Sequence, residues 1–300
     1  MDLSVSSSLY QLFFALLLLV IIYYITLQIL KISSIVVYPT YTVNAKDEQV
    51  IVEGKATNGA RFNTIFPFSK NGAAFRKIPK SVNGTTGAQF TYQFWAKVND
   101  TSPDNFQNLI ILLKGDDRLY KVGYYDKETN RKLQFENDTP KHMIKCPLIK
   151  FGNSYKNLMV EFNTNNHPDV KININLEEGS DEHKRRNLLS LLPVEMVMFT
   201  FVFQENFSKY EGVENGIKFT MYINDIPFYT ESASSNPLLR NNFLKQNDGD
   251  IFILPNVKNQ GALDVANIKY FNYALSDNDV ISSFNKGVSG EGNPASLYYN

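Results

Sequence analysis

The sequence predicts an all-β protein, an antiparallel β-sandwich preceded by one transmembrane α-helix. Three observations lead there: a long uncharged run near the N-terminus, a succession of short alternating segments between turn residues, and a side-chain stock rich in Phe, Tyr and Ile. Aromatic and β-branched residues suit a pleated, half-buried surface. With aromatics at 13% of 300 residues, the chain holds enough of them to fill the inner faces of a large sandwich.

The uncharged run is Leu9–Leu30. As a helix it extends roughly 33 Å, enough for a hydrocarbon core of ~30 Å. Leu9, Phe13, Leu17, Ile21, Ile25 and Leu30 are its expected membrane-anchor residues, and Gln11 and Gln28 lie near the ends, where polar groups cost least. A signal peptide would need a basic leader and a small-residue cleavage site. The stub at 1–8 contains neither Lys nor Arg, and no such site follows the run. Lys31 and Lys46 lie beyond the helix and only Asp2 before it, so the positive-inside rule places the C-terminal domain on the cytoplasmic side. Cys146, the single cysteine, admits no intramolecular disulfide and points to the same compartment.

Residues 31–60 form an extended juxtamembrane segment with two strand-like runs, Ile35–Tyr38 and Gln49–Glu53. From about Arg61 the β pattern becomes continuous. Phe90, Tyr92, Phe94, Ala96 and Val98 alternate with Thr91, Gln93, Trp95 and Lys97, and Leu109–Leu113 is apolar throughout. Val170, Ile172, Ile174 and Leu176 alternate with polar neighbours, and Met196–Phe203 is apolar enough for a strand buried on both faces. Ile217 to Ile223 alternates again, and Asn224-Asp225 supplies a tight turn into Ile226–Thr230. Outside the membrane run one helix stands out. Ser276 and Asp279 form a capping box, Val280, Ile281 and Phe284 share a face, and Gly287 can end the helix at positive φ. The sandwich thus occupies 61–287. A polar tail, 288–300, carries Leu297, Tyr298 and Tyr299 as candidate docking residues.

Three segments, Ala88–Val98, Gly216–Phe228 and Gly261–Gly287, in this order, resemble the laminin-G-like jelly roll of the concanavalin A-like lectin/glucanase superfamily. The first matches the family's strand with a central Trp-x-Lys, the second its hairpin, and the third its closing strand, Ala-Leu-Ser and short helix. The resemblance implies a jelly roll with Trp95 within the sandwich. Two departures mark a divergent member: Met196–Phe203 lacks the family's Trp, and the hairpin turn reads Asn-Asp rather than Asn-Gly.

Catalytic chemistry finds no foothold in the sequence. Glucanases of the superfamily set carboxylates on alternating positions of one strand, and no such alternation occurs. The acids at Glu177, Glu178, Asp181 and Glu182 are followed at once by His183, Lys184, Arg185 and Arg186, a self-neutralising loop. His142 and Cys146 with His167 fall short of a zinc ligand set. Calcium is the one metal the resemblance brings in, with Asp225 and Asp264 as weak candidates beside their reading as turn and capping residues; no metal and no cofactor is expected. Thirty basic against thirty acidic residues leave no field for nucleic acid. The four sequons at Asn83, Asn99, Asn137 and Asn206 match chance in so asparagine-rich a chain.

The expectation is a non-enzymatic, membrane-anchored structural protein that engages protein neighbours. Its Asn-, Lys-, Ile- and Phe/Tyr-rich texture resembles that of minor capsid proteins of large nucleocytoplasmic DNA viruses, which link an internal membrane to the capsid shell in the virion. The alternative is a membrane-anchored, lectin-like carbohydrate-binding protein. Deleting residues 1–31 should turn a detergent-requiring protein into a soluble one with an unchanged melting temperature. Fractionation of the truncated chain checks this, and a folded domain still in the membrane pellet would contradict it.

Overall fold

The computed structural model describes residues 14–25, 46–56, 59–64, 74–76, 78–84, 87–115, 144–167, 169–177, 188–207, 215–256 and 261–288. The chain divides into two units, 1–43 and 44–300. In the first, residues 14–25 form helix α1, with Leu17, Ile21 and Ile25 on its exposed surface. This stretch rises about 18 Å, short of a ~30 Å hydrocarbon core. Among the described residues no helix is long and apolar enough to cross a membrane. Leu9, Phe13 and Leu30, like the run Ile35–Tyr38 and the tail with Leu297, Tyr298 and Tyr299, lie outside the described residues.

In the second unit the alternating segments become two sheets of seven strands each among the described residues. The first runs β1 (Glu48–Lys55), β14 (Leu263–Phe271), β5 (Gly87–Val98), β10 (Val197–Asn206), β11 (Gly216–Ile223) and β12 (Ile226–Glu231), with β4 (Val82–Gly84) also on β5. The second runs β3 (Ala74–Phe75), β2 (Ala60–Asn63), β13 (Asp250–Ile253), β6 (Ile110–Gly115), β7 (Lys145–Phe151), β8 (Asn157–Phe162) and β9 (Val170–Asn175). Among the described residues every strand pairing is antiparallel except β2 with β3. The sandwich opens earlier than Arg61: β1 pairs along β14, so the run Gln49–Glu53 belongs to the first sheet rather than to a juxtamembrane spacer.

Period-two alternation decides what lies between the sheets. From the first sheet come Phe90, Tyr92 and Phe94, Phe199, Phe201 and Phe203, and Phe219 and Met221; from the second come Ile149, Phe151, Val160, Phe162 and Ile172. Phe90 stacks on Phe203 at 4.8 Å, and Phe162 meets Phe203 edge-on across the sheets at 5.6 Å. In β14 the inward set shifts phase from Leu263 and Val265 to Ile268 and Tyr270, because a bulge at Asn267, with φ 50°, inserts one extra residue. That shift hides the strand's alternation from a simple reading.

The outward face of the first sheet is apolar too, and a helix covers it. Trp95, Met198, Val202, Tyr222 and Phe271 pack with Leu275, Val280 and Phe284 around helix α3 (Asp277–Lys286); the other α-helix described in this unit is the single turn α2 (Leu188–Leu191). The capping box at Ser276 and Asp279 starts α3, and Gly287, at φ 69°, ends it. The Tyr222 hydroxyl donates to Asp277 at 2.6 Å and ties the helix to the sheet. Trp95 is therefore buried, at 3% exposure, but not between the sheets. It alternates with Phe94 and Ala96, so it points the other way and stacks on Phe284 at 6.0 Å.

Trp95→Ala should cost ~3–5 kcal/mol, the usual range for truncating a buried aromatic. Thermal denaturation checks the loss. Iodide should barely quench the Trp95 fluorescence in the wild type and quench it strongly in Phe284→Ala, which uncovers the ring.

Candidate functional site

An open groove of about 430 Å³ runs where the β7–β8 turn meets β9 and β12, the end strands of the two sheets among the described residues. Asn108, Asn153, Asn157, Asn173 and Asn175 line it together with Phe228 and Tyr229, and none of its described lining residues carries a charge. Asn157 and Asn175 sit directly opposite one another on β8 and β9, and Asn173 lies two positions back along β9 on the same face. The walls are set by main-chain bonds. Asn108 donates to Gly152 O at 2.9 Å, Gly152 to Asn157 O at 2.8 Å, and Leu176 to Lys156 O at 2.8 Å. Asn256 accepts from the Ile110 amide and donates to Asn108 O, at 2.9 and 2.8 Å. The Tyr229 hydroxyl donates to the Glu231 carboxylate outside the groove, fixing the ring at its edge.

A second groove, about 420 Å³, lies beside α3 and is different in kind. Glu53, Lys269 and Lys286 line it, with Trp95 and Val288. Lys269 is engaged by Glu48 at 2.7 Å.

Several of the described buried and half-buried acids are held by partners within the fold; Glu161 lies on the face of β8 opposite the inward Val160 and Phe162. Lys145 sits between Glu161 and Asp169, Lys150 reaches Glu161 at 2.9 Å and Lys171 reaches Asp169 at 3.1 Å. Burial raises the proton affinity of both carboxyls, but the combined pull of the lysines outweighs it and holds each below its ordinary value. Both oxygens of Glu205 accept main-chain amides, from Ala88 at 2.7 Å and Leu244 at 2.6 Å. There burial prevails and pushes the carboxyl upward. Gly87, at φ 124°, leaves room for that side chain, since a Cβ would overlap Glu205. Asp250 binds Arg61 at 2.6 Å.

Of the sequence candidates, Asp264 forms an ion pair with Lys55 at 2.7 Å, and Asp225 sits in the β11–β12 turn after Asn224, whose φ is 56°. Among the described residues no group of three or more His, Cys, Asp or Glu could hold a metal ion. Cys146 is buried in the main core, where desolvation pushes its thiol to about 12, so it is inert at neutral pH. His142 and His183 lie outside the described residues. Lys114 is buried as well, donating to Gly249 O at 2.5 Å and Asn247 O at 3.0 Å, and burial pushes its amine down to about 8. None of the groove asparagines was singled out by the sequence. Asn173 and Asn175 looked like the ordinary solvent face of an alternating strand, and only the pairing of β8 with β9 joins them to Asn157.

No protein-family description matches the chain, and no curated protein is similar to it by sequence. Among solved structures, the botulinum neurotoxin serotype D binding domain is similar at 11% identity and a TM-score of 0.40, over 80% of this chain and 46% of that one. The type G receptor-binding domain is similar at 10% identity and a TM-score of 0.38, over 66% of this chain and 38% of that one. For the C/D mosaic receptor-binding domain the figures are 11% and 0.40, over 67% and 36%. The chain spans less than half the length of each. Similarity this low carries no ligand or partner from one chain to the other.

The Lys145 cluster makes a prediction about acid. Glu161 and Asp169 are held below their unfolded values, so their stabilisation is present above the ordinary carboxylate range of ~4 and lost as pH falls through the lower folded values. Glu205, shifted upward, acts in the opposite direction. Lys145→Ala strands Glu161 without its closest counter-charge and should cost ~3–5 kcal/mol at neutral pH. The deficit should shrink on acidification. Urea denaturation at pH 7 and pH 3.5 measures both.

Proposed function

We propose that this chain is a non-enzymatic, membrane-anchored interaction protein of the laminin-G-like jelly-roll type. Leu9–Leu30 tethers it, and the sandwich faces the cytoplasmic side and engages protein neighbours. In its fullest form this is a minor capsid protein that joins an internal viral membrane to the shell, with Leu297, Tyr298 and Tyr299 as a docking tail. One observation carries the interaction reading: the buried carboxylates of Glu161 and Glu205 are engaged by partners within the fold, while a groove lined by amides, with no charge among its described lining residues, opens to solvent. Such a surface offers hydrogen bonds and stacking to a ligand, and no proton donor or acceptor near neutrality for turnover.

The second reading is carbohydrate binding, favoured by the combination of asparagines with Phe228 and Tyr229 in the same groove. Polyhydroxylated ligands are also met by neutral amides and an aromatic face.

Full-length protein in detergent should release no reducing sugar from a panel of β-glucans. Cross-linking in intact membranes that carry it should join lysines of the sandwich to other proteins. Sugar release abolished by replacing one carboxylate would overturn the non-enzymatic reading. Cross-links confined to the protein itself, together with a strong signal on a glycan array, would move the assignment to the carbohydrate reading.

A further inference from the structure

We infer that the groove beside α3 is a binding site for a free α-amino acid, held as a zwitterion; this goes beyond the interaction reading and stands without it. At about 420 Å³ the groove falls in the ~300–1,000 Å³ range of small-molecule sites. Its floor is the outward face of the first sheet. Gln93 and Trp95 come from β5, Asn267 and Lys269 from β14, and Val50 and Glu53 from β1; Ser283 and Lys286 of α3, with Val288 just beyond, form the wall.

Two of these side chains are nearly sealed from solvent and yet incompletely bonded. Trp95 and Gln93 are each 3% exposed. A buried indole N–H normally finds an acceptor, but among the described residues nothing accepts from Trp95 Nε1, although the ring stacks on Phe284. Gln93 Nε2 donates to Thr200 Oγ1 at 3.0 Å, which leaves Gln93 Oε1 without a donor among the described residues. A buried donor and a buried acceptor left unmade cost free energy that a ligand recovers. Around them the Ser283 hydroxyl, the Lys286 ammonium and the Glu53 carboxylate are also unpaired among the described residues. Lys269 and Asn267 are not: Lys269 is held by Glu48, and Asn267 donates to Val288 O.

The unpaired groups sort by chemistry. Trp95, Ser283 and Lys286 donate, and two neutral donors beside an ammonium are a carboxylate's complement. Gln93 Oε1 and Glu53 accept, and together they suit an ammonium. A ligand with only a negative charge would meet Glu53 unfavourably, and one with only a positive charge would meet Lys286, so a molecule bearing both is selected. Register gives the scale. Trp95 lies opposite Ala266 on β14, and Glu53 falls on the other flank of β14 between the partners of Ile268 and Ala266. Two strand spacings put the two backbones about 10 Å apart, a gap for two side chains with one small molecule between them. Val50 and Val288 add apolar surface, which suits an apolar side chain on the amino acid.

Trp95 is the chain's single tryptophan, so its emission reports on this site directly. The test titrates the full-length protein in detergent with each of the common amino acids and measures the best of them by isothermal titration calorimetry. Expected is a saturable shift of Trp95 emission with one or a few apolar amino acids. Blocking either charge of that ligand, as its C-terminal amide or its N-acetyl derivative, should weaken binding about tenfold or more. Glu53→Gln and Lys286→Ala should each weaken it about tenfold. Both side chains are exposed, so these variants should keep the wild-type melting temperature. Trp95→Phe keeps a ring against Phe284 but removes the N–H, and should also weaken the calorimetric binding. Asn173→Ala, in the other groove, should leave it unchanged. No emission shift and no heat with any amino acid would overturn the inference. Equal binding of the blocked derivatives, or indifference to both charge variants, would overturn it too. None of these outcomes bears on the cross-linking experiment that tests the interaction reading.

Discussion

Everything in the sandwich depends on β5 being buried on both faces. Its inward side chains, Phe90, Tyr92 and Phe94, anchor the aromatic seam between the sheets, and its outward Trp95 anchors the second core beneath α3. β10 on one side and β14 on the other repeat the arrangement, so the three central strands join two cores at once. A strand in this position has no tolerant face. The polar residues it does carry are bonded inside: Thr91 donates to Tyr273 O at 2.9 Å and Gln93 to Thr200 at 3.0 Å.

The same economy governs charge. Lys145, Glu161 and Glu205 are all nearly sealed from solvent, and each is matched, by opposite charge or by main-chain amides. Buried groups so engaged fix register and loop position: Glu205 clips the start of β5 to the segment at Leu244, and the Lys145 cluster clips β7 to β8 and to Asp169. Such pairs contribute little net stability when intact and cost much when broken.

The amide groove is the complement of that interior. Its side chains come from five separate places in the chain, the approach to β6, the β7–β8 turn, β8, β9 and β12, and its shape is held by main-chain bonds together with the Asn157 and Asn175 side chains, which bond Ser154 and the Glu177 amide. Function placed on such a frame can change partner by substituting exposed side chains without disturbing either core.

By itself the sequence determined whatever is periodic or local. Alternation at Phe90–Val98 and Ile217–Ile223, the double-faced run at Met196–Phe203, the Asn224-Asp225 turn and the capped helix at Ser276 are written in neighbouring residues, because strand and helix periods act over a few positions. Less legible were β7, interrupted by Pro147, and the outer half of β14, shifted by its bulge. Only the tertiary structure decided that β1 joins the first sheet, that Trp95 lies under α3 instead of between the sheets, and that Asn157, Asn173 and Asn175 form one surface with Tyr229. Period two divides a strand's residues between two faces but does not say which neighbour covers each face, and that is settled by pairing between segments far apart in the chain.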